Sequence, residues 1–107
     1  MAQKREFFRV AIDRTGQIRH GDETVPCKVI DLTEKGFQLQ VEGTFHVDED
    51  LHLEFILSDT YMIACTVQVT HVRPPFLGAR ITTISPDHQT QLSRFIEQVN
   101  ALNMTGF

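Results

Sequence analysis

Two short segments hold residue types whose spacing could do chemistry. The first is Lys4-Arg5-Glu6-Phe7-Phe8-Arg9, where Arg5 and Arg9 form an RxxxR pair behind a lysine and around two phenylalanines. The second is Asp31-Leu32-Thr33-Glu34-Lys35-Gly36, of form DxTxxG. Guanidinium groups are planar forks that grip anions bidentately and stack on flat rings. A carboxylate followed two residues on by a hydroxyl offers acceptors, and glycine lets the backbone come close. Taken singly, RxxxR is also the pattern of a solvated basic arm, and DxTxxG that of an ordinary turn. Together they are informative, because Arg9 precedes Asp31 by 22 positions and both flank predicted strands.

Charge is distributed in keeping with this. The 107 residues carry 10 Lys+Arg and 14 Asp+Glu, a formal net charge of −4. That balance argues against coating DNA or RNA by bulk electrostatics. Residues 1–19 nevertheless hold five cations and two carboxylates, whereas residues 20–107 hold five and twelve. The positive charge is gathered where a small anion would meet it.

The elements that must position these groups show period two. Val25, Cys27 and Val29 alternate with Pro26, Lys28 and Ile30, and Phe37, Leu39 and Val41 with Gln38, Gln40 and Glu42. Three further sets run through Leu51 to Leu57, Ile63 to Val69 and Leu77 to Ile81. Alternation places one face of each strand on a core. A weaker pair is predicted at 9–14 and 17–20, joined through Thr15-Gly16. Turn chemistry punctuates the runs at His20-Gly21-Asp22, Glu34-Lys35-Gly36, Ser58-Asp59 and Arg73-Pro74-Pro75, and Asp48-Glu49-Asp50 reads as a solvated hairpin tip. Then the period changes. Ser85-Pro86-Asp87 is an N-cap, a first-turn proline and a first-turn acid, and Leu92, Phe95, Ile96, Val99 and Leu102 follow as one helical stripe ended by Asn103 and Gly106.

These patterns predict a mostly β fold of six or seven short antiparallel strands, a barrel or sandwich, with a C-terminal α-helix across one opening or flank. The expected divisions are a basic arm over 1–9, a barrel over 10–84 and an amphipathic helix over 85–103. No apolar run approaches the roughly 20 residues that cross a bilayer, and no apolar stretch follows the first cations. The expectation is a soluble, cytoplasmic chain that does not engage membranes.

Other chemistries find little support. Five histidines (His20, His46, His52, His71, His88) show no HxH or HxxxH spacing, so no metal site is expected. Cys27 and Cys65 lack a CxxC partner and read as small buried hydrophobes. There is no nucleophile elbow or glycine-rich phosphate loop. Neither an enzyme nor a cofactor is expected.

With both motifs in place, the chain resembles the PilZ domain family across roughly residues 4–102. That family pairs RxxxR on an N-terminal segment with [D/N]xSxxG on a strand-to-strand connection of a small β-barrel. Leu77-Gly78-Ala79-Arg80-Ile81 is similar to its late glycine-containing strand. The resemblance implies a six- or seven-stranded antiparallel barrel that binds cyclic di-GMP. It assigns Arg5 and Arg9 to guanine and phosphate, Asp31 and Thr33 to the guanine edge, and Gly36 to the tight turn. Lys4 stands where many members have a further arginine, and Thr33 where serine is usual. Arg80 can be read as a site cation or as an outward-facing surface side chain. The implied partners are cyclic di-GMP and an unidentified effector protein. The alternative is a PilZ-like interaction adaptor that binds no nucleotide, against which intact Arg5, Arg9, Asp31 and Gly36 argue.

Overall fold

A computed structural model describes residues 9–104. Six strands precede one helix: β1 (Val10–His20), β2 (Glu23–Leu32), β3 (Gly36–Val41), β4 (Asp50–Ser58), β5 (Tyr61–Arg73), β6 (Phe76–Ile84) and α1 (Pro86–Met104). They close a barrel in the order β1-β2-β3-β6-β5-β4, every neighbouring pair antiparallel. Closure removes the unpaired edges that a sheet this small would otherwise expose. The alternating apolar residues meet inside, where Ile18, Val29, Leu39, Leu53, Ile63 and Val67 are completely buried. Cys27 and Cys65 join them, and burial pushes their thiols up to about 11 and about 12. Such thiols stay protonated and pack as hydrophobes.

Two local expectations are corrected. Residues 10–20 form one continuous strand, not a hairpin through Thr15-Gly16. Gly16 is there for close approach: it faces Phe55 of β4, and a Cβ added to it would come 2.7 Å from the Phe55 Cβ. The β1–β2 turn lies instead at Gly21-Asp22, with Gly21 at φ 63° as two-residue hairpins require. Likewise, Asp48-Glu49-Asp50 is no hairpin tip. β3 and β4 are not neighbours, and the segment 42–49 crosses an end of the barrel between them. Buried Phe45 fills that end and touches the His20 ring at 5.3 Å between centroids.

The helix packs at the opposite end. Ser85 Oγ accepts the His88 amide at 3.2 Å, the bond of an N-cap, and Leu92 and Ile96 enter the barrel core. β6 stops pairing with β5 at Cys65, so the Ala64 N–H donates instead to His88 Nδ1 at 3.0 Å. Arg14, whose Nε donates to the Leu57 carbonyl at 2.9 Å, lies over the Phe95 ring. The stripe residue Leu102 has its side chain outside the described residues, as does Gly106. No helix among the described residues is long and apolar enough to cross a membrane.

The crossing segment is latched by Glu49, whose carboxylate accepts the His46 amide at 2.8 Å and meets His20 Nε2 at 2.9 Å. The backbone bond first, then the His20 contact, holds this carboxyl below its ordinary value of 4.5. A folded-state pKa below the unfolded one stabilises the fold above the unfolded value, and that stabilisation disappears as pH falls through the folded value. Glu49→Gln, which keeps an acceptor for the His46 amide but loses the charge facing His20, is expected to lower stability at neutral pH in urea unfolding by a few tenths of a kcal/mol to about 1 kcal/mol, since solvent screens the site. The difference from wild type should shrink steadily below about pH 4.5.

Candidate functional site

Two of the barrel's register shifts, one in β2 and one in β5, make the site. In a regular strand Val29 and Asp31 would share one face. A bulge in β2 breaks this, because Val29 pairs with Leu39 but Asp31 pairs with Gln38, leaving Ile30 as the extra residue. Val29 and Leu32 stay in the core, and Asp31 is turned outward. β5 repeats the device: Val69 pairs with Ala79 and His71 with Gly78, so Thr70 is extra and His71 also faces out. Asp31, Gln38, Gly78 and His71 thus form one row across β2, β3, β6 and β5. The adjoining row is Gly36, Arg80 and Gln68.

Glycines make these rows a depression. A Cβ on Gly36 would overlap the Ala79 carbonyl and lie 3.1 Å from the Arg80 Cα. Gly36 is thus required by the close approach of β3 to β6; positive φ is not the reason. A Cβ on Gly78 would fall within the His71 ring, which lies over that glycine. The resulting cleft of about 270 Å³ is lined by Arg9, Asp31, Thr33, Gly36, His71 and Arg80, among others.

Its polar groups are unevenly satisfied. Arg9 Nε lies 3.6 Å from Asp31 Oδ2, with the arginine side chain 71% exposed and the aspartate 26%. The other carboxylate oxygen, Oδ1, is buried and receives no hydrogen bond from the described residues. A buried acceptor in that state costs free energy until a donor reaches it. Thr33 is used differently. Its Oγ1 accepts the Lys35 and Gly36 amides at 3.0 and 3.1 Å, and its own N–H donates to the Gly36 carbonyl at 2.9 Å. The hydroxyl oxygen is thereby filled as an acceptor, and its O–H donates to the Gly36 carbonyl at 3.4 Å, so this side chain is committed to the turn. The Ile81 amide donates to the Lys35 carbonyl at 2.8 Å and ties this turn to the β3–β6 pair.

The structure therefore brings Arg9, Asp31, Thr33 and Gly36 together and adds Arg80. Lys4 and Arg5, with Phe7 and Phe8, lie outside the described residues. Gln38, Gln68, His71 and Gly78 carry no motif of their own, and only the late Gly-containing strand signalled one of them. Among the described residues no group of three or more His, Cys, Asp or Glu could hold a metal ion.

A model of the PilZ domain matches residues 3–98. The chain belongs to the PilZ family. No curated protein sequence matches it significantly. Among solved structures it is similar to the Bacillus subtilis inhibitor of motility MotI/DgrA, with a TM-score of 0.80 and 16% identity over 94% of this chain and 52% of that one. It is also similar to Escherichia coli YcgR in complex with c-di-GMP, with a TM-score of 0.81 and 19% identity over 97% and 49% of the two chains. The PilZ domain of YcgR with c-di-GMP gives 0.75 and 18% over 97% and 98%. The chain spans about half the length of MotI/DgrA and of full YcgR. At these identities the likeness establishes the PilZ barrel as the shared fold.

The turn that carries the second motif of this PilZ chain depends on an acceptor at Thr33. Thr33→Val keeps the shape but strands two amides, and a loss of about 1–2 kcal/mol is expected in thermal or urea unfolding. Thr33→Ser should remain close to wild type in the same measurement.

Proposed function

We propose that this PilZ domain is a cyclic di-GMP receptor without catalytic activity, signalling to a partner protein. The observation that carries the reading is the orphaned buried oxygen of Asp31, set beside Arg9 in a glycine-floored cleft. A guanine edge presents N1–H and N2–H₂ together, which satisfies a carboxylate with one unused and one shared oxygen. Adenine has no such donor pair. The phosphodiesters then compete with Asp31 for Arg9, whose exposed ion pair is of a kind worth about 0–1 kcal/mol and is readily exchanged. The c-di-GMP complexes of the structural relative YcgR and of its PilZ domain support the same ligand class.

A cleft of about 270 Å³ accommodates roughly one nucleoside. A cyclic dinucleotide extends beyond it, toward the chain that leads into Val10 and carries Lys4 and Arg5. Ligand anions drawing Lys4, Arg5 and Arg9 onto the barrel would reposition Phe7 and Phe8. That change of surface is the signal offered to an effector, a shift driven by the ligand's differential affinity for two arm conformations.

Calorimetric titration with cyclic di-GMP is expected to give a micromolar or tighter constant, about −8 kcal/mol or better. GTP and cyclic di-AMP should bind far more weakly. Arg9→Ala and Asp31→Ala should each weaken binding at least roughly tenfold, about 1.4 kcal/mol. Amide exchange of residues 4–9 should slow on ligand addition. A folded sample giving neither heat nor thermal shift would favour the nucleotide-free adaptor instead.

A further inference from the structure

The geometry points to Arg80 as a second ligand-binding cation, on the opposite wall of the cleft from Asp31, and to Gln68 as the residue that positions it. This rests on the reading of the cleft as a cyclic di-GMP site. Three observations on the outer face of the barrel carry it. Arg80 has Gly36 on one side in its cross-strand row and Gln68 on the other. On the Gly36 side there is no side chain, so the guanidinium borders open cleft. On the other side Arg80 Nη2 donates to Gln68 Oε1, and Gln68 Nε2 donates in turn to the Asp48 carbonyl at 3.4 Å. Finally, no carboxylate among the described residues pairs with Arg80, in contrast to Arg9.

A glutamine is the right length to fix an arginine without neutralising it. One of five N–H donors goes to Gln68, and the other four keep the full charge available. The span also fits. Arg80 and Asp31 stand two strands and two residues apart, about 12 Å between backbones, which their side chains and a nucleotide held between them can bridge. With Asp31 holding a guanine edge, a phosphate of the same molecule arrives at Arg80, where the planar fork takes two oxygens. An arginine already held in place loses less rotamer freedom on binding than a free one. Because Gln68 also reaches Asp48, the cleft is linked to the crossing segment 42–49 at the end of the barrel.

Substitution at both positions tests this, read by titration with cyclic di-GMP and by the melting temperature of each variant. Arg80→Ala should weaken binding about tenfold without lowering the melting temperature appreciably. Arg80→Lys, which keeps charge but loses the fork, should fall between it and wild type. Gln68→Glu is the discriminating variant: it holds Arg80 at least as firmly but pairs off its charge. It should weaken binding several-fold while remaining folded, with a melting temperature near or slightly below wild type because its bond to the Asp48 carbonyl is lost, and should add nothing in an Arg80→Ala background. Wild-type affinity in Arg80→Ala, alongside loss in Arg9→Ala, would overturn the inference while leaving the site intact. Gln68→Ala, which releases Arg80, should weaken binding less than Arg80→Ala does, and unchanged affinity there would overturn the positioning role. A wild-type protein that takes up no cyclic di-GMP overturns the site reading, and Arg80 with it.

Discussion

Strict alternation of side chains along a β-strand is the constraint on which this molecule turns. A six-stranded barrel this small needs nearly every inward position for its core, so an outward site must be made from what remains. Two single-residue insertions, Ile30 in β2 and Thr70 in β5, invert the alternation at the ends of one cross-strand row. Without them Asp31 would sit on the face of Val29, and His71 on that of Val69, as an unpaired carboxylate and an imidazole in hydrocarbon. The bulges keep the core apolar and deliver both side chains to the same surface. They serve stability and site together.

The glycines follow from the same geometry. Gly16, Gly36 and Gly78 all lie within strands, where glycine ordinarily weakens packing. Gly16 lets β1 pack closely on β4, whereas Gly36 and Gly78 remove side chains from the floor of the cleft. Backbone freedom is not their purpose there, since positive φ among the described glycines is confined to Gly21 and Gly43, both outside the strands. Glycine in a strand means close approach, and glycine in a hairpin means conformation. The two are indistinguishable in sequence when a threonine precedes them, which is why Thr15-Gly16 reads as a turn.

The legible part of the fold is accordingly the local part. Period two marks the strands because each needs one buried face, and Ser85-Pro86-Asp87 marks the helix because capping is local chemistry. RxxxR and DxTxxG are visible because their groups are close in the chain. Gln68 and His71 are not, since what brings them to the same face of the barrel as Asp31 is cross-strand register between segments some forty residues apart. Ile30 hides its bulge by being apolar, as a regular alternation with Val29 and Leu32 misplaced by one would also be. The crossing at 42–49 is hidden for a related reason: acidic residues between two strands look alike whether those strands pair or stand apart.

If the proposed function holds, these features explain how a chain of net charge −4 would favour a small dianion. Long-range attraction does not supply the selectivity, because the surface beyond residue 19 is acidic and repels extended polyanions. Recognition must come from few groups held at fixed spacing. Asp31 is central because it opposes the charge the site is to receive. A carboxylate beside Arg9 weakens that arginine's pull on any phosphate arriving alone, and it repels an anion that brings no donors. Only a ligand that satisfies the orphaned oxygen with its own N–H groups, and presents phosphate at a set distance, turns that repulsion into a bond. On the proposed reading, the negative charge of Asp31 beside Arg9 is the element that would separate a guanine nucleotide from any other phosphate.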